Sequence, residues 1–150
     1  MDAAAILQSY LDEVSTAVLA NDWDSYRDAI SLPCHIVSHD ESKVVATVAE
    51  LQAGFDQFHA TLRAQRVTDY IRLVDTASRL DHDLISGRYF SHVIANGHRL
   101  LPPFQSQMTL RLQGNRWRAA SVTNALANSR WPLVRLALHP ETDPKEGPET

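Results

Sequence analysis

The sequence has one cysteine, no long apolar run and no concentrated basic segment, and each shortage excludes a class of protein. Cys34 has no partner for an internal disulfide, which is typical of proteins in a reducing cytoplasm. No apolar run approaches the roughly 20 residues that a membrane-spanning helix needs. The net charge is −4 and the lysines and arginines are scattered. Nucleic acid and anionic membranes are therefore not expected partners, since both require a concentrated basic face.

The N-terminal residues lack the basic stretch that begins a secretory signal peptide, so we expect a cytoplasmic protein. A chain of 150 residues suits one domain with a sizeable core. We expect this domain to cover residues 1–139, with the short apolar segment 131–138 docked on its body. Residues 140–150 combine proline, glycine and charge, which predicts a disordered tail.

Helical periodicity dominates the first third of the sequence. Apolar residues spaced three or four apart predict a first helix with one buried face, formed by Ile6, Tyr10, Leu11, Val14 and Val18. Asp22 can cap a second, short helix that buries Trp23, Tyr26 and Ile30 and ends at Leu32-Pro33. Thr47 and Glu50 form a capping box, which predicts a third helix with Leu51, Phe55, Phe58 and Leu62 on one face.

In the rest of the sequence, apolar and polar residues tend to alternate, as is typical of strands. Residues 35–39 and 43–46 predict a short strand pair, and residues 68–80, 84–95, 104–113 and 117–125 predict four longer strands. Asn96-Gly97 and Gly114-Asn115 are typical hairpin turns, because these residues tolerate positive φ. Pro102-Pro103 is expected in a loop, where no ladder donor is lost. The sequence thus predicts an α+β fold, with helices followed by a mostly antiparallel sheet.

This order of elements resembles the NTF2-like superfamily, which includes the SnoaL-like polyketide cyclases and the ketosteroid isomerases. The resemblance covers roughly residues 3–126. Asn21-Asp22-Trp23-Asp24 is similar to a family signature between the first two helices, and Trp117-Arg118 at the start of the last strand is also typical. The resemblance implies three N-terminal helices on a strongly curved sheet that encloses a cone-shaped cavity. It also implies dimerisation through the outer sheet face and a small, mainly hydrophobic ligand.

The strand over residues 84–95 carries apolar side chains on both faces. Tyr89, Ser91, Val93 and Ala95 share one face, because successive strand residues point to opposite sides. The other face holds Arg88, Phe90, His92 and Ile94. A sheet face exposed to water does not favour Phe and Ile, so both faces are expected to be covered. A homodimer through Phe90, His92 and Ile94 is the simplest cover.

Catalysis can be judged from the positions that the resemblance implies. The isomerase branch uses a carboxylate base, a tyrosine and a protonated acid, and these positions fall on Ser38, Val14 and Met108. None of the three can perform that chemistry. Asp40 could replace Ser38 only in a bulged strand, and His39 beside it points the other way. His39 and Asp40 remain weak catalytic candidates, and whether the protein is an enzyme is left open.

Binding residues are predicted more readily than catalytic ones. Tyr26, Ser38, Tyr89 and Met108 are the expected ligand-binding residues. His35 and His39 share one strand face and could hold a metal, but no third ligand can be named, so neither a metal nor another cofactor is predicted. The scattered arginines at 63, 66, 72, 79 and 88 are interpreted as solvated or interface charges.

Three functions stay open on the sequence alone. The first is a SnoaL-like protein that binds a small hydrophobic ligand and, if it is an enzyme, performs isomerisation, cyclisation, dehydration or hydrolysis. The second is a non-catalytic dimeric module for ligand sensing or protein interaction. The third is a metal-dependent enzyme that uses His35 and His39.

Overall fold

The computed structural model describes residues 1–39 and 41–125. Over these residues the chain forms three helices, which are α1 (Ala3–Leu19), α2 (Trp23–Asp28) and α3 (Val48–Ala64). The strands are β1 (Ile30–Ser38), β2 (Ser42–Val45), β3 (Asp69–Asp81), β4 (Leu84–Ala95), β5 (His98–Arg99), β6 (Phe104–Gln113) and β7 (Arg116–Asn124). The predicted α+β order is confirmed.

The local signals at helix ends and turns act as their chemistry predicts. The Glu50 backbone N–H donates to Thr47 Oγ1 at 3.1 Å, and the Thr47 N–H donates to Glu50 Oε1 at 3.2 Å, so the capping box is complete. Asp22 accepts a hydrogen bond from the Ser25 N–H at 3.2 Å and caps α2. Asn96 has φ 51° and Gly97 has φ 83°, as a tight turn between β4 and β5 requires.

One curved, unclosed sheet carries the strands in the order β2-β1-β7-β6-β4-β3, with the short β5 beside β4. The pairing of β1 with β7 is parallel and the other pairings are antiparallel. Register shifts interrupt β3 between Val74 and Thr76 and again between Arg79 and Asp81. Such irregularities increase local twist, which bends the sheet around the helices.

The predicted end of the second helix and start of the first strand are wrong. α2 ends at Asp28, and β1 already begins at Ile30, which was expected on the helix. The reason is long-range, because the Ala119 N–H of β7 donates to the Ala29 carbonyl at 2.9 Å and draws the chain into the sheet. Pro33 does not break β1, since it lies where the register with β7 shifts and no regular ladder bond is lost.

The core fills the space between the helices and the concave face of the sheet. α1 contributes its most buried side chains, which include Leu7, Tyr10, Leu11, Val14 and Val18. The Asn21-Asp22-Trp23-Asp24 segment has a physical role in this packing. Asn21 takes a positive φ of 59°, Asp22 caps α2, and Trp23 packs against Phe55 of α3 with ring centroids 5.6 Å apart. The signature therefore fixes the junction of the three helices.

Some predicted features fall outside the described residues. These are the docked segment 131–138, the domain boundary at 139, the tail 140–150 and the catalytic candidate Asp40. Among the helices that the structure describes, none is long and apolar enough to cross a membrane. The cytoplasmic location stays a prediction.

Candidate ligand-binding cavity

A cavity of about 100 Å³ lies between the helices and the inner face of the sheet. All three helices and six of the strands contribute side chains to its wall. The wall is mainly apolar, with Val14, Leu51, Phe58, Phe104 and Val122 among its residues. An engineered apolar cavity of about 150 Å³ can hold benzene, so this smaller space suits a hydrocarbon body smaller than benzene.

The four residues predicted to bind a ligand lie together on this wall. Tyr26 comes from α2, Ser38 from the end of β1, Tyr89 from β4 and Met108 from β6. Val14 lines the same cavity. The three positions that correspond to the isomerase residues, Val14, Ser38 and Met108, thus meet around one space. Ligand binding by these residues stays a prediction.

The histidines considered for catalysis or metal binding do not line the cavity. His39 is exposed, and so is His35, whose Nε2 lies 3.1 Å from Ser42 Oγ. The inner face of β1 carries Cys34 and Ile36, both buried, and then Ser38. Within the described part of the chain, neither histidine belongs to a group of potential metal ligands. The metal-dependent hypothesis gains no support from this geometry.

The interpretation of Arg72 as a solvated or interface charge is wrong. Only 6% of this residue is exposed, and its side chain contributes to the cavity wall. Its Nε donates to Ser15 Oγ at 2.9 Å and its Nη2 donates to the Leu11 carbonyl at 3.2 Å. The guanidinium carbon lies 4.9 Å from the ring centroid of Tyr70 and 5.7 Å from that of Tyr89. Both distances are within cation–π range.

Gln8 of α1 fixes the backbone that carries Arg72. Its Nε2 donates to the Arg72 carbonyl at 2.7 Å, and its Oε1 accepts from the Val74 N–H at 2.9 Å. β3 is an edge strand of the sheet formed by the described residues, which place no neighbouring strand beside these two backbone groups on that side. The Gln8 amide takes the place of a strand and directs Arg72 toward the helices. These two hydrogen bonds join residues that are 64 and 66 positions apart along the chain. No local pattern in the sequence therefore predicts them.

Tyrosine hydroxyls and small polar groups complete the wall. The Tyr10 hydroxyl donates to the Ala29 carbonyl at 2.6 Å, and burial raises the pKa of Tyr10 and of Tyr26. Burial also raises the pKa of Tyr89 to about 12, although the charge of Arg72 lowers it. Asn124 of β7 also lines the cavity, and its Oδ1 accepts a hydrogen bond at 2.6 Å from Ser106, which is buried opposite Tyr89 in the β4–β6 register. These three phenols stay neutral near pH 7, and those of Tyr26 and Tyr89 can serve as hydrogen-bond donors to a ligand.

The described residues of the cavity wall include one charged side chain and no carboxylate or imidazole that could act as a general base. Arg72 is the only charged residue among the described wall residues, and none of them is Asp, Glu or His. General base catalysis needs a group whose pKa lies near the working pH, and the buried phenols do not meet that requirement. These residues can hold a ligand and orient its polar end through several donors.

Solved structures share this architecture at low sequence identity. A domain of unknown function with a cystatin-like fold from Nostoc punctiforme superposes with a TM-score of 0.64 at 11% identity, covering 81% of this chain and 75% of that chain. An NTF2-like protein with a cystatin-like fold from Novosphingobium aromaticivorans gives a TM-score of 0.61 at 16% identity, covering 88% and 87%. The protein has the NTF2-like fold. A further NTF2-like protein, from Cytophaga hutchinsonii, gives 0.59 at 12% identity and covers 83% and 98%.

The NTF2-like fold is what these superpositions establish. No protein-family model matches the sequence, and no curated protein matches it either. At 11% to 16% identity the neighbours carry no information on which side chains act. The SnoaL-like branch is not specifically supported.

Proposed function

We propose that the protein binds a small, mainly hydrophobic molecule in the cavity of its NTF2-like fold. The observation that carries the proposal is the composition of the wall, in which apolar side chains surround a few convergent donors. Binding sites for small molecules have this character. The volume of about 100 Å³ limits the enclosed part of the ligand to a few carbon atoms.

Binding is favoured over acid–base catalysis of the kind that the SnoaL-like resemblance implies. Isomerisation, cyclisation and dehydration each require a proton to be removed from the substrate, and a carboxylate or imidazole usually does this. The described wall residues include neither. Asp40 lies outside the described residues, and His39 is exposed away from the wall.

Filling the cavity is expected to remove binding. Val122→Phe places a ring where the apolar wall now leaves space, whereas Val44→Phe makes the same change on β2 at a side chain that is 52% exposed. Isoamyl alcohol is a suitable neutral probe, titrated into the ¹⁵N-labelled protein and followed by amide chemical shifts. We expect saturable shifts around the cavity in the wild type and in Val44→Phe, and none in Val122→Phe. Shifts confined to the outer surface would contradict the proposal.

A second candidate function, a dimeric interaction module, is favoured by the outer face of the sheet. Ile71 and Leu73 of β3 are 41% and 51% exposed. They pair with His92 and Phe90 of β4, and Ile94 lies next along that face. We call these five residues the outer-face patch. Apolar side chains grouped on one exposed surface are typical of protein interfaces, and we propose that a second copy of this chain covers them.

A charge in the outer-face patch is expected to prevent this association. Phe90→Asp and Leu73→Asp would each bury a carboxylate without a partner, at a cost of several kcal/mol per interface. Leu80→Asp is the matched control, since Leu80 is 61% exposed on the same strand but outside the patch. Light scattering should show a dimer for the wild type and Leu80→Asp, and monomers for the other two variants. A monomeric wild type removes the basis of this second function.

A further inference from the structure

Arg72 differs from the arginines that pair with acids elsewhere in the described structure. Arg116 contacts Glu13 at 3.1 Å, Arg118 contacts Asp28 at 2.9 Å, and Arg88 contacts Asp75 at 3.6 Å, all at partly exposed sites. Arg72 is more deeply buried than these, yet the described residues place no carboxylate within ion-pair distance of it. Among the described arginines, the one that would gain most from an anion thus has none within residues 1–39 and 41–125.

The described contacts of Arg72 include no counter-charge for this buried cation. Within the described residues its guanidinium donates to Ser15 Oγ and the Leu11 carbonyl and also hydrogen-bonds the Tyr89 hydroxyl, and all three acceptors are neutral. The rings of Tyr70 and Tyr89 contribute further, but they do not neutralise the charge. Burial of a charge is costly unless a counter-charge accompanies it. The cavity is the open space beside Arg72 that a counter-charge could occupy.

We propose that the ligand is a small monocarboxylate whose carboxylate pairs with Arg72 and whose hydrocarbon part fills the apolar cavity. This rests on the proposed binding function and adds the chemical class of the ligand. A carboxylate matches the planar fork of a guanidinium. The neutral hydroxyl of Tyr89 lies beside Arg72 and can donate to the same group. A phosphate ester is disfavoured because the described wall supplies one cation, too few for a dianion.

The acid–amide pair isovalerate and isovaleramide tests this inference, since the two molecules have the same shape and differ in charge. Titration of the full chain at pH 7, followed by amide chemical shifts, gives both dissociation constants. We expect isovalerate to bind about 10- to 100-fold more tightly, which is the range of a charge-assisted hydrogen bond. Arg72→Met should remove this preference. Arg79→Met, on the same strand with its guanidinium over Trp117, should retain it.

The outcomes separate the inference from the proposed function. Equal affinity of the acid and the amide in the wild type would overturn the inference and leave the proposed function intact. A preference for the acid that persists in Arg72→Met would also overturn it. If isovalerate, isovaleramide and isoamyl alcohol all leave the cavity amides unshifted, the proposed function fails. If Arg72→Met does not fold, Arg72→Lys provides the test. Lysine lacks the bidentate fork of the guanidinium, so this variant should bind isovalerate more weakly than the wild type does. Its affinity for isovaleramide should be unchanged.

Discussion

Gly87→Val is expected to lower the free energy of unfolding by about 3 kcal/mol, because α1 crosses β4 directly over this residue. A Cβ atom at Gly87 would overlap Leu7 Cδ2 and lie 2.9 Å from the Thr76 carbonyl oxygen. Leu7 is fully buried and the carbonyl belongs to a paired strand, so neither can move freely. The higher strand propensity of valine, about 1 kcal/mol at most, is too small to offset this overlap. Urea denaturation measures the change.

Ser86→Val is the matched control, since Ser86 precedes Gly87 and points to the other face of β4. This variant should stay within about 0.5 kcal/mol of the wild type. A second check is the pair Gly87→Ala and Leu7→Ala. The double variant should be more stable than the sum of the single effects predicts, because removal of the Leu7 side chain makes room for the new methyl. Strict additivity would show that the close approach of α1 is not the cause.

The thiol of Cys34 is expected to react at least about a thousandfold more slowly in the native protein than in denatured protein at pH 8. Burial raises the pKa of this thiol from 9.0 to about 12, since the thiolate loses its hydration inside the protein. Three pKa units correspond to a thousandfold smaller thiolate fraction, and the thiolate is the reactive form. The release of coloured thiolate from an aromatic disulfide reagent measures both rates.

The raised pKa of Cys34 also makes the free energy of unfolding depend on pH, with a definite sign. Stability that comes from keeping Cys34 neutral is fully present below pH 9 and is lost as the pH rises from 9 toward 12, where the unfolded chain ionises first. A Cys34→Ala chain with Val44→Cys is the control, because position 44 on the neighbouring strand is exposed. That cysteine should react at an ordinary rate. A native Cys34 that reacts within tenfold of the denatured rate would contradict its placement in the cavity wall.

The parts of the fold that could be predicted from the sequence depend on local chemistry. The capping box at Thr47, the cap at Asp22 and the turn at Asn96-Gly97 each involve residues within a few positions of one another. Regular alternation on β4 and β6 groups Tyr89 with Ser91 and Val93, and Met108 with Leu110, but alternation alone leaves open which face of each strand is the inner one. On β6 the buried set, with Phe104, Met108 and Leu110, is clearly the more apolar one, as hydropathy predicts, whereas β4 carries apolar side chains on both faces.

Arg72 was missed because β3 reverses that rule. Its exposed face carries Ile71 and Leu73, while its inner face carries Tyr70, Arg72 and Val74. By hydropathy alone, Ile71 and Leu73 would be assigned to the core. Contacts made by α1, far away in sequence, decide the orientation instead. The parallel pairing of β1 with β7 and the early start of β1 were hidden for the same reason, since both depend on strands about 90 residues apart.

The central claim is that the NTF2-like cavity is a ligand site. Its most direct test is a crystal structure of the protein from crystals grown with isovalerate. We predict density for the hydrocarbon part among Val14, Met108 and Val122, with the carboxylate on the guanidinium of Arg72. A cavity filled by the protein's own side chains, with isovalerate absent or bound only on the outer surface, would contradict the account.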